Sequence, residues 1–378
     1  MQSQARLGLR LVQTTRAATM RSSIAPSVLS LPRQIHTTPA SPATVSSVHG
    51  QGPPPEAPVP ETDSATRRLE RRRKQAAMLK AAQEIRSAAG KKQSQDGPVR
   101  RRFWKDVHVR EVDDALEVHL DARPLRHPTT KDIIRVPASK PLLAAALALE
   151  WDAVTSVQQA TKQHYIPLTS LVCRAIDIGE DDVAGKGAIR QTVVTMVMRY
   201  LDTDSLLCWA PPPGPYDHVE EGTLSLREMQ KQAADEIVGF LTTRVWPGVE
   251  IHPVLDGDSL MPRPHDPVTR QIIEGWVAGL SSWELAGMER AVLAGKGLLG
   301  AARLVVEWSE GFVGAGIGDG GAGAVKFGAD EAARAASLEV DWQTGNWGEV
   351  EDTHDVEKED VRKQLGGVVL LVSGVSKK

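Results

Sequence analysis

Short alternating runs give way to helical stripes roughly a third of the way along the chain. Val107 and Val109 alternate with polar neighbours, Leu116, Val118 and Leu120 alternate again, and Ile133, Ile134 and Val136 form a third apolar run. Asp113-Asp114 and Asp121-Ala122-Arg123-Pro124-Leu125 separate them with turn chemistry, so the spacing predicts a small antiparallel meander beginning near Phe103-Trp104. The period then changes. Leu142, Leu143, Ala146, Leu149 and Ala153 keep one helical stripe; Ser139 is placed to cap it, with Pro141 in the first turn, where a missing donor is harmless. From Leu168 on, almost every apolar run has helical spacing. Helices are predicted over 224–245, over 268–280 with Ile272, Trp276 and Leu280 inside, and as one long helix after Ser281-Ser282 on the stripe Leu285, Met288, Val292, Leu299 and Val306. Asp330 is placed to cap a helix through Trp342, and a last helix runs from Val356 to Leu365. Val368–Val372 fits a strand or a buried helical end. The expected fold class is α+β: a small domain over 101–166, meander plus helix, then a mainly α-helical domain over 167–375. Residues 311–328 are Gly/Ala-rich without periodicity and read as a surface insert.

One stretch sets the organisation. Ile189, Val193, Val197, Tyr200 and Leu201 predict a buried helix, and Asp202-Thr203-Asp204-Ser205 cannot continue it. Leu206-Leu207-Cys208-Trp209 then returns to the core and stops at Pro211-Pro212-Pro213. Carboxylates after a helix C-terminus face the negative end of its dipole. Asp202 and Asp204 therefore call for a compensating partner, either Arg199 or something outside the chain.

Composition adds a leader and removes several function classes. Residues 1–55 contain no Asp or Glu, and Arg6, Arg10, Arg16, Arg21 and Arg33 are spread among Ser, Thr, Ala and Leu. That is the composition of a mitochondrial transit peptide, read over 1–45, with the matrix as destination. Residues 46–100 read as a disordered, then basic, linker; no aromatic residue interleaves Arg67–Lys92, so no stacking platform for nucleic acid is expected. A net charge of -3 supplies no global field towards nucleic acid either. No apolar stretch approaches the ~20 residues of a membrane span, so no membrane insertion is expected. Cys173 and Cys208 sit in apolar runs and read as buried small hydrophobes.

Catalytic signatures are sparse. Gly295-Lys296-Gly297-Leu298-Leu299-Gly300 spells GxGxxG, but it falls inside the predicted long helix, follows no strand and opens no new helix, so no dinucleotide site is assigned. GxxxxGK[ST], GxSxG, HExxH and CxxC do not occur. His108 and His119 fall on neighbouring predicted strands and are read as surface imidazoles rather than a metal pair. Asp202 and Asp204 lack the third ligand and the glycine of a calcium loop. No cofactor, metal or small-molecule substrate is expected.

Several words, in order, carry a resemblance: Arg102-Phe103-Trp104-Lys105, Leu120-Asp121-x-Arg123-Pro124-Leu125, Glu150-Trp151-Asp152, Ile166-Pro167-Leu168-Thr169-Ser170-Leu171, Ala175-Ile176-Asp177 and Arg199-Tyr200-Leu201-Asp202-Thr203-Asp204. Trp283-x-Leu285-x-x-x-Glu289, Asn346-Trp347-Gly348 and His354-Asp355 follow. From about Arg102 to about Ser373 the chain resembles the chaperone family that assembles the catalytic head of mitochondrial ATP synthase by holding its alpha subunit. The resemblance implies a non-enzymatic chaperone that covers the unassembled alpha subunit of F1 until the beta subunit replaces it. It also ties the Glu289 position to activity. The residues expected to meet the partner are Glu289, Trp283, Asp202 and Asp204, with Trp151 as a structural residue in the core. Two other functions stay open. One is an enzyme acting on a small phosphorylated or nucleotide ligand, with Asp202, Asp204 and Glu289 as acids; the other is a structural subunit of the synthase.

Overall fold

Two aspartates make the first hairpin. Val107–Val112 (β1) and Ala115–Leu120 (β2) pair antiparallel with Val112 opposite Ala115. The connecting Asp113 and Asp114 both take positive φ (50° and 62°), which matches the right-handed twist of the strands. Arg123–Pro124 (β3) and Arg135–Pro137 (β4) both pair antiparallel with β2, completing a four-stranded sheet. In this computed structural model residues 72–74, 76–78, 80, 101–214, 224–257, 259, 261–315, 326–350 and 353–375 are described. The chain divides into two compact units, Met1–Glu84 and Ile85–Lys378. In the first, the described residues are helical and exposed. The leader over 1–45, most of the linker and residues 316–325 of the insert lie outside the described residues.

Helix α1 (Pro141–Ala153) buries Leu143, Ala144, Leu147 and Trp151 against the sheet and the helices that follow. Its N-cap is Lys140 rather than the expected Ser139, with no side-chain cap bond; the Ser139 hydroxyl donates instead to Glu310 at 3.1 Å. The helices after it are α2 (Pro167–Val183), α3 (Ala188–Arg199), α4 (Leu226–Arg244), α5 (Pro267–Ala278), α6 (Ser282–Gly295), α7 (Leu298–Trp308), α8 (Ala329–Trp347) and α9 (His354–Val372). A mixed α+β region thus precedes a predominantly helical one.

Several helical details differ from the sequence pattern. The long helix is two helices: Lys296 takes φ 53° and ends α6, and Gly297 precedes α7. Gly295 and Gly297 carry the poorest propensity among residues that can still be helical, and the chain uses that weakness to break. In α5 the buried stripe is Thr269, Ile273 and Val277, one position off the expected one; Ile272 is 44% exposed, although Leu280 is buried just past the helix end. Apolar residues occupy both stripes of α5, so periodicity alone does not choose between them. Gly328, not Asp330, is the N-cap residue of α8; its N–H bonds Glu331, and Asp330 pairs with Arg362. Residues 368–372 are the buried end of α9.

Helix α6 runs through the core of the helical region. Eight of its residues are buried, and it packs on α2, α7 and α9. Its contact with α9 depends on Gly287, where an added Cβ would lie 2.8 Å from the Val372 Cγ1.

Candidate partner-binding site

Two of the expected partner residues, Trp283 and Glu289, lie on α6, whose ends are about 20 Å apart, and the Asp202–Asp204 turn meets its far end where Ser205 N–H bonds the Lys296 carbonyl. Ser281 and Glu284 form the capping box that starts the helix. Glu284 also accepts the Ser309 hydroxyl at 2.5 Å, tying this end to the turn after α7. Trp283, half-buried, sits in the first turn with the Lys140 ammonium 5.7 Å from its ring centre. Lys140 is only 3% exposed, bonded to Glu310 at 2.6 Å and to the carbonyls of Val372 and Ser373. Burial pulls its ammonium below the usual lysine range, and Glu310 opposes that pull.

Midway, Glu289 accepts two hydrogen bonds from Arg174 of α2, at 2.7 and 2.8 Å. The fork is partly shielded, with side-chain exposures of 35% for Arg174 and 18% for Glu289. The carboxylate raises the Arg174 pKa further. The resemblance singles out Glu289, but Arg174 carried no sequence signal, because its partner is 115 residues away.

At the far end Asp204 is 1% exposed. Its carboxylate accepts from the backbone N–H of Leu206 at 3.0 Å, Leu298 at 2.6 Å and Leu299 at 2.8 Å. The last two belong to the first turn of α7, so Asp204 holds the positive end of that helix. An added Cβ on Gly297 would lie 2.5 Å from its Oδ1. The expectation that these glycines open no helix is thereby corrected: Gly297 precedes α7, and the anion at its N-terminus is the chain's own carboxylate. Asp202, partly exposed, pairs with Arg270 of α5. The compensating charges are thus α7 and Arg270, while Arg199 is the basic residue in the last turn of α3.

Burial raises the Asp204 pKa to about 6, against the three N–H groups that favour its charged form. The unfolded value is the lower one, so this carboxyl favours folding most below about pH 4, and that contribution is lost as pH rises to about 6. Across that window the loss is on the order of 3 kcal/mol, at 1.36 kcal/mol per pKa unit. Asp204→Asn removes the titration. The difference in melting temperature, wild type minus variant, should therefore fall as pH rises from about 4 to about 6, as read by calorimetry in matched buffers. A constant difference would assign Asp204 an ordinary carboxyl pKa.

A second carboxylate does the same for α2. Glu150 accepts from Leu168 N, Thr169 N and the Thr169 hydroxyl at 2.7, 2.9 and 2.6 Å, and burial raises its pKa. Beside it Trp151 is 8% exposed, donates to the Thr169 hydroxyl at 2.8 Å and stacks at a tilt on Trp104, 5.5 Å between ring centres. Among the described residues His108 stands opposite His119, the rings stacked at 5.7 Å, and no group of three or more His, Cys, Asp or Glu is arranged for a metal ion. Cys173 is buried with its thiol pushed up to about 12 by desolvation, and Cys208 is half-buried. No described helix is long and apolar enough to cross a membrane.

The sequence profile described as ATP12 chaperone protein matches residues 101–242. The chain is 31% identical to the protein atp12, mitochondrial, of Schizosaccharomyces pombe, over 72% of this chain and 82% of that one. Its identity to the protein ATP12, mitochondrial, of Saccharomyces cerevisiae is 32%, over 70% and 81%. The chain belongs to the ATP12 chaperone family. The crystal structure of Atp12 from Paracoccus denitrificans shares the fold, with TM-score 0.50 and 22% identity over 71% of this chain and 96% of that one. Against the ATP12 profile, the match ends within α4, so the profile covers the sheet, Trp151 and the Asp202–Asp204 turn but not Trp283 or Glu289. The two yeast ATP12 relatives align over 275 and 280 residues, nearly twice that length.

Proposed function

We propose that this ATP12-family chain is a non-enzymatic assembly chaperone of the mitochondrial matrix that binds the unassembled alpha subunit of F1 and prevents its aggregation until the beta subunit replaces it. The observation that carries the reading is the kinship with two mitochondrial ATP12 proteins over 70–72% of the chain. The Arg-rich, acid-free first 55 residues support the location. A temporary cover must shield a large subunit interface and still be displaced, which suits half-buried polar pairs better than a dry apolar face. Glu289 with Arg174, Trp283 over Lys140, and the Asp202 side of the acidic turn offer such groups; Asp204 acts from inside by holding α7.

The test is co-expression with the alpha subunit, reading soluble alpha subunit. Wild type should raise the yield clearly over an empty vector, and an unchanged yield overturns the reading. Glu289→Lys should lower the yield several-fold, because it replaces a bidentate pair with two facing cations. It should cost only about 1–2 kcal/mol of stability, since the pair is partly solvated. Glu289→Gln, which keeps the shape, should fall between them. An unchanged yield with Glu289→Lys would remove this residue from the contact. The enzymatic alternative is tested by adding nucleotides with magnesium to the purified chain. No rise in melting temperature is expected, and a rise that grows with ligand concentration would favour it.

A further inference from the structure

The α8–α9 hairpin ends in a tip that leaves large apolar side chains in water. Trp347 is 76% exposed, Val350 57% and Val356 59%. Described residues on either side of it are held by hydrogen bonds: Gly348, at φ 90°, ends α8 with its N–H on the Thr344 carbonyl, and Val350 N–H donates to His354 Nδ1 at 3.2 Å. Trp342 meets the Trp347 ring edge-on at 5.8 Å and holds it upright. A tryptophan so exposed, braced by a second one, is the residue type that anchors protein interfaces.

The surroundings are predominantly acidic, with Arg362 alongside Glu359 at 3.8 Å. Among the described residues of 339–360 there are seven carboxylates, including Asp355, Glu357, Glu359 and Asp360, against one lysine, Lys358. Lys358 is paired with Asp341 at 2.8 Å, and Lys296, reaching in from the end of α6, pairs with Glu357 at 3.3 Å. An apolar centre inside a negative rim selects its occupant. A second copy would bring the same negative rim against itself, and an anionic bilayer would be repelled; a segment with cations flanking an apolar stripe satisfies both parts.

We infer that the tip of the α8–α9 hairpin is a docking surface for a basic amphipathic segment of the client polypeptide, with Trp347 as its apolar anchor. This rests on the chaperone reading above and names the kind of segment the chaperone grips. The rim speeds encounter and makes the grip salt-sensitive, which suits a hold that must later be released.

The test uses the full chain and two labelled helix-forming peptides of about 20 residues, one of Leu and Lys and one of Leu and Glu in the same pattern. Fluorescence anisotropy should show the Leu/Lys peptide binding, weakening as salt rises, and the Leu/Glu peptide not binding. Trp347→Ala should weaken the Leu/Lys peptide about tenfold or more, as loss of an interface anchor does. Glu359→Gln with Asp360→Gln should flatten the salt dependence while keeping Trp347. Equal binding of both peptides, or binding indifferent to Trp347→Ala, overturns the inference, as does a concentration-dependent dimer that Trp347→Ala abolishes. Co-expression separates the two levels. If wild type fails to keep the alpha subunit soluble, the chaperone reading falls, and the peptides still decide the docking surface. If wild type succeeds and Trp347→Ala succeeds equally, the docking surface alone falls.

Discussion

Asp204→Ala should destabilise the folded chain by about 2–4 kcal/mol, visible as a lower midpoint in urea with the slope unchanged. The carboxylate satisfies three backbone N–H groups, two of them in the buried first turn of α7. Without it, Leu298 and Leu299 keep their donors in a space that water reaches poorly, at roughly 1–3 kcal/mol for each donor left unpaired. Part of that cost is offset, because the wild type must desolvate a charge in the same place. Gly297→Ala attacks the same contact from the other side. Its Cβ would crowd Oδ1 at 2.5 Å, so the two substitutions together should cost less than the sum of the singles. Full additivity in a double-mutant cycle would show that the carboxylate and the glycine act separately. Client capture should fall with stability rather than ahead of it, since Asp204 is buried.

The same residue shows what a sequence can and cannot disclose. That Asp202 and Asp204 follow a buried helix and require compensation is visible in the sixteen consecutive residues from Ile189 to Asp204. Their compensators are not, because Leu298 stands 94 positions from Asp204 and Arg270 stands 68 from Asp202. The Gly295-Lys296-Gly297 break was within reach, since two glycines flanking one lysine is poor helix sequence; the unbroken apolar stripe from Leu285 to Val306 overrode it. In the sheet, by contrast, the information is local. Asp113-Asp114 fixes the hairpin, the hairpin fixes the register, and His108 stands opposite His119 as the alternation requires. The α5 stripe failed for a different reason: Val268 and Ile272 are apolar yet 61% and 44% exposed, so a pattern that assumes apolar residues face inward chooses the wrong side. Among partner candidates, Glu289 was singled out by the family resemblance, whereas its fork with Arg174 needed the packing of α2 on α6.

Trp151→Arg should be the more damaging change, costing more than about 4 kcal/mol and lowering the melting temperature by roughly 8 °C or more. Three losses coincide at this position. The indole fills space against Trp104 in the core, and truncating a buried tryptophan alone costs about 3–5 kcal/mol. Its N–H is the donor that satisfies the Thr169 hydroxyl oxygen, which itself donates to Glu150. The guanidinium would enter this site without a free acceptor, since the Glu150 carboxylate already holds Leu168 and Thr169 at the start of α2. An unpaired buried cation is the costliest of the three. The arginine would draw Glu150 away from α2, so damage should spread from α1 into the helix that carries Arg174, and through it to Glu289. Trp151→Phe separates packing from the hydrogen bond and should cost about 1–3 kcal/mol. In cells the Arg variant should be depleted several-fold and the Phe variant little, as expected when abundance tracks stability. An Arg variant with wild-type melting temperature but lost alpha-subunit capture would move Trp151 from the core to the contact surface.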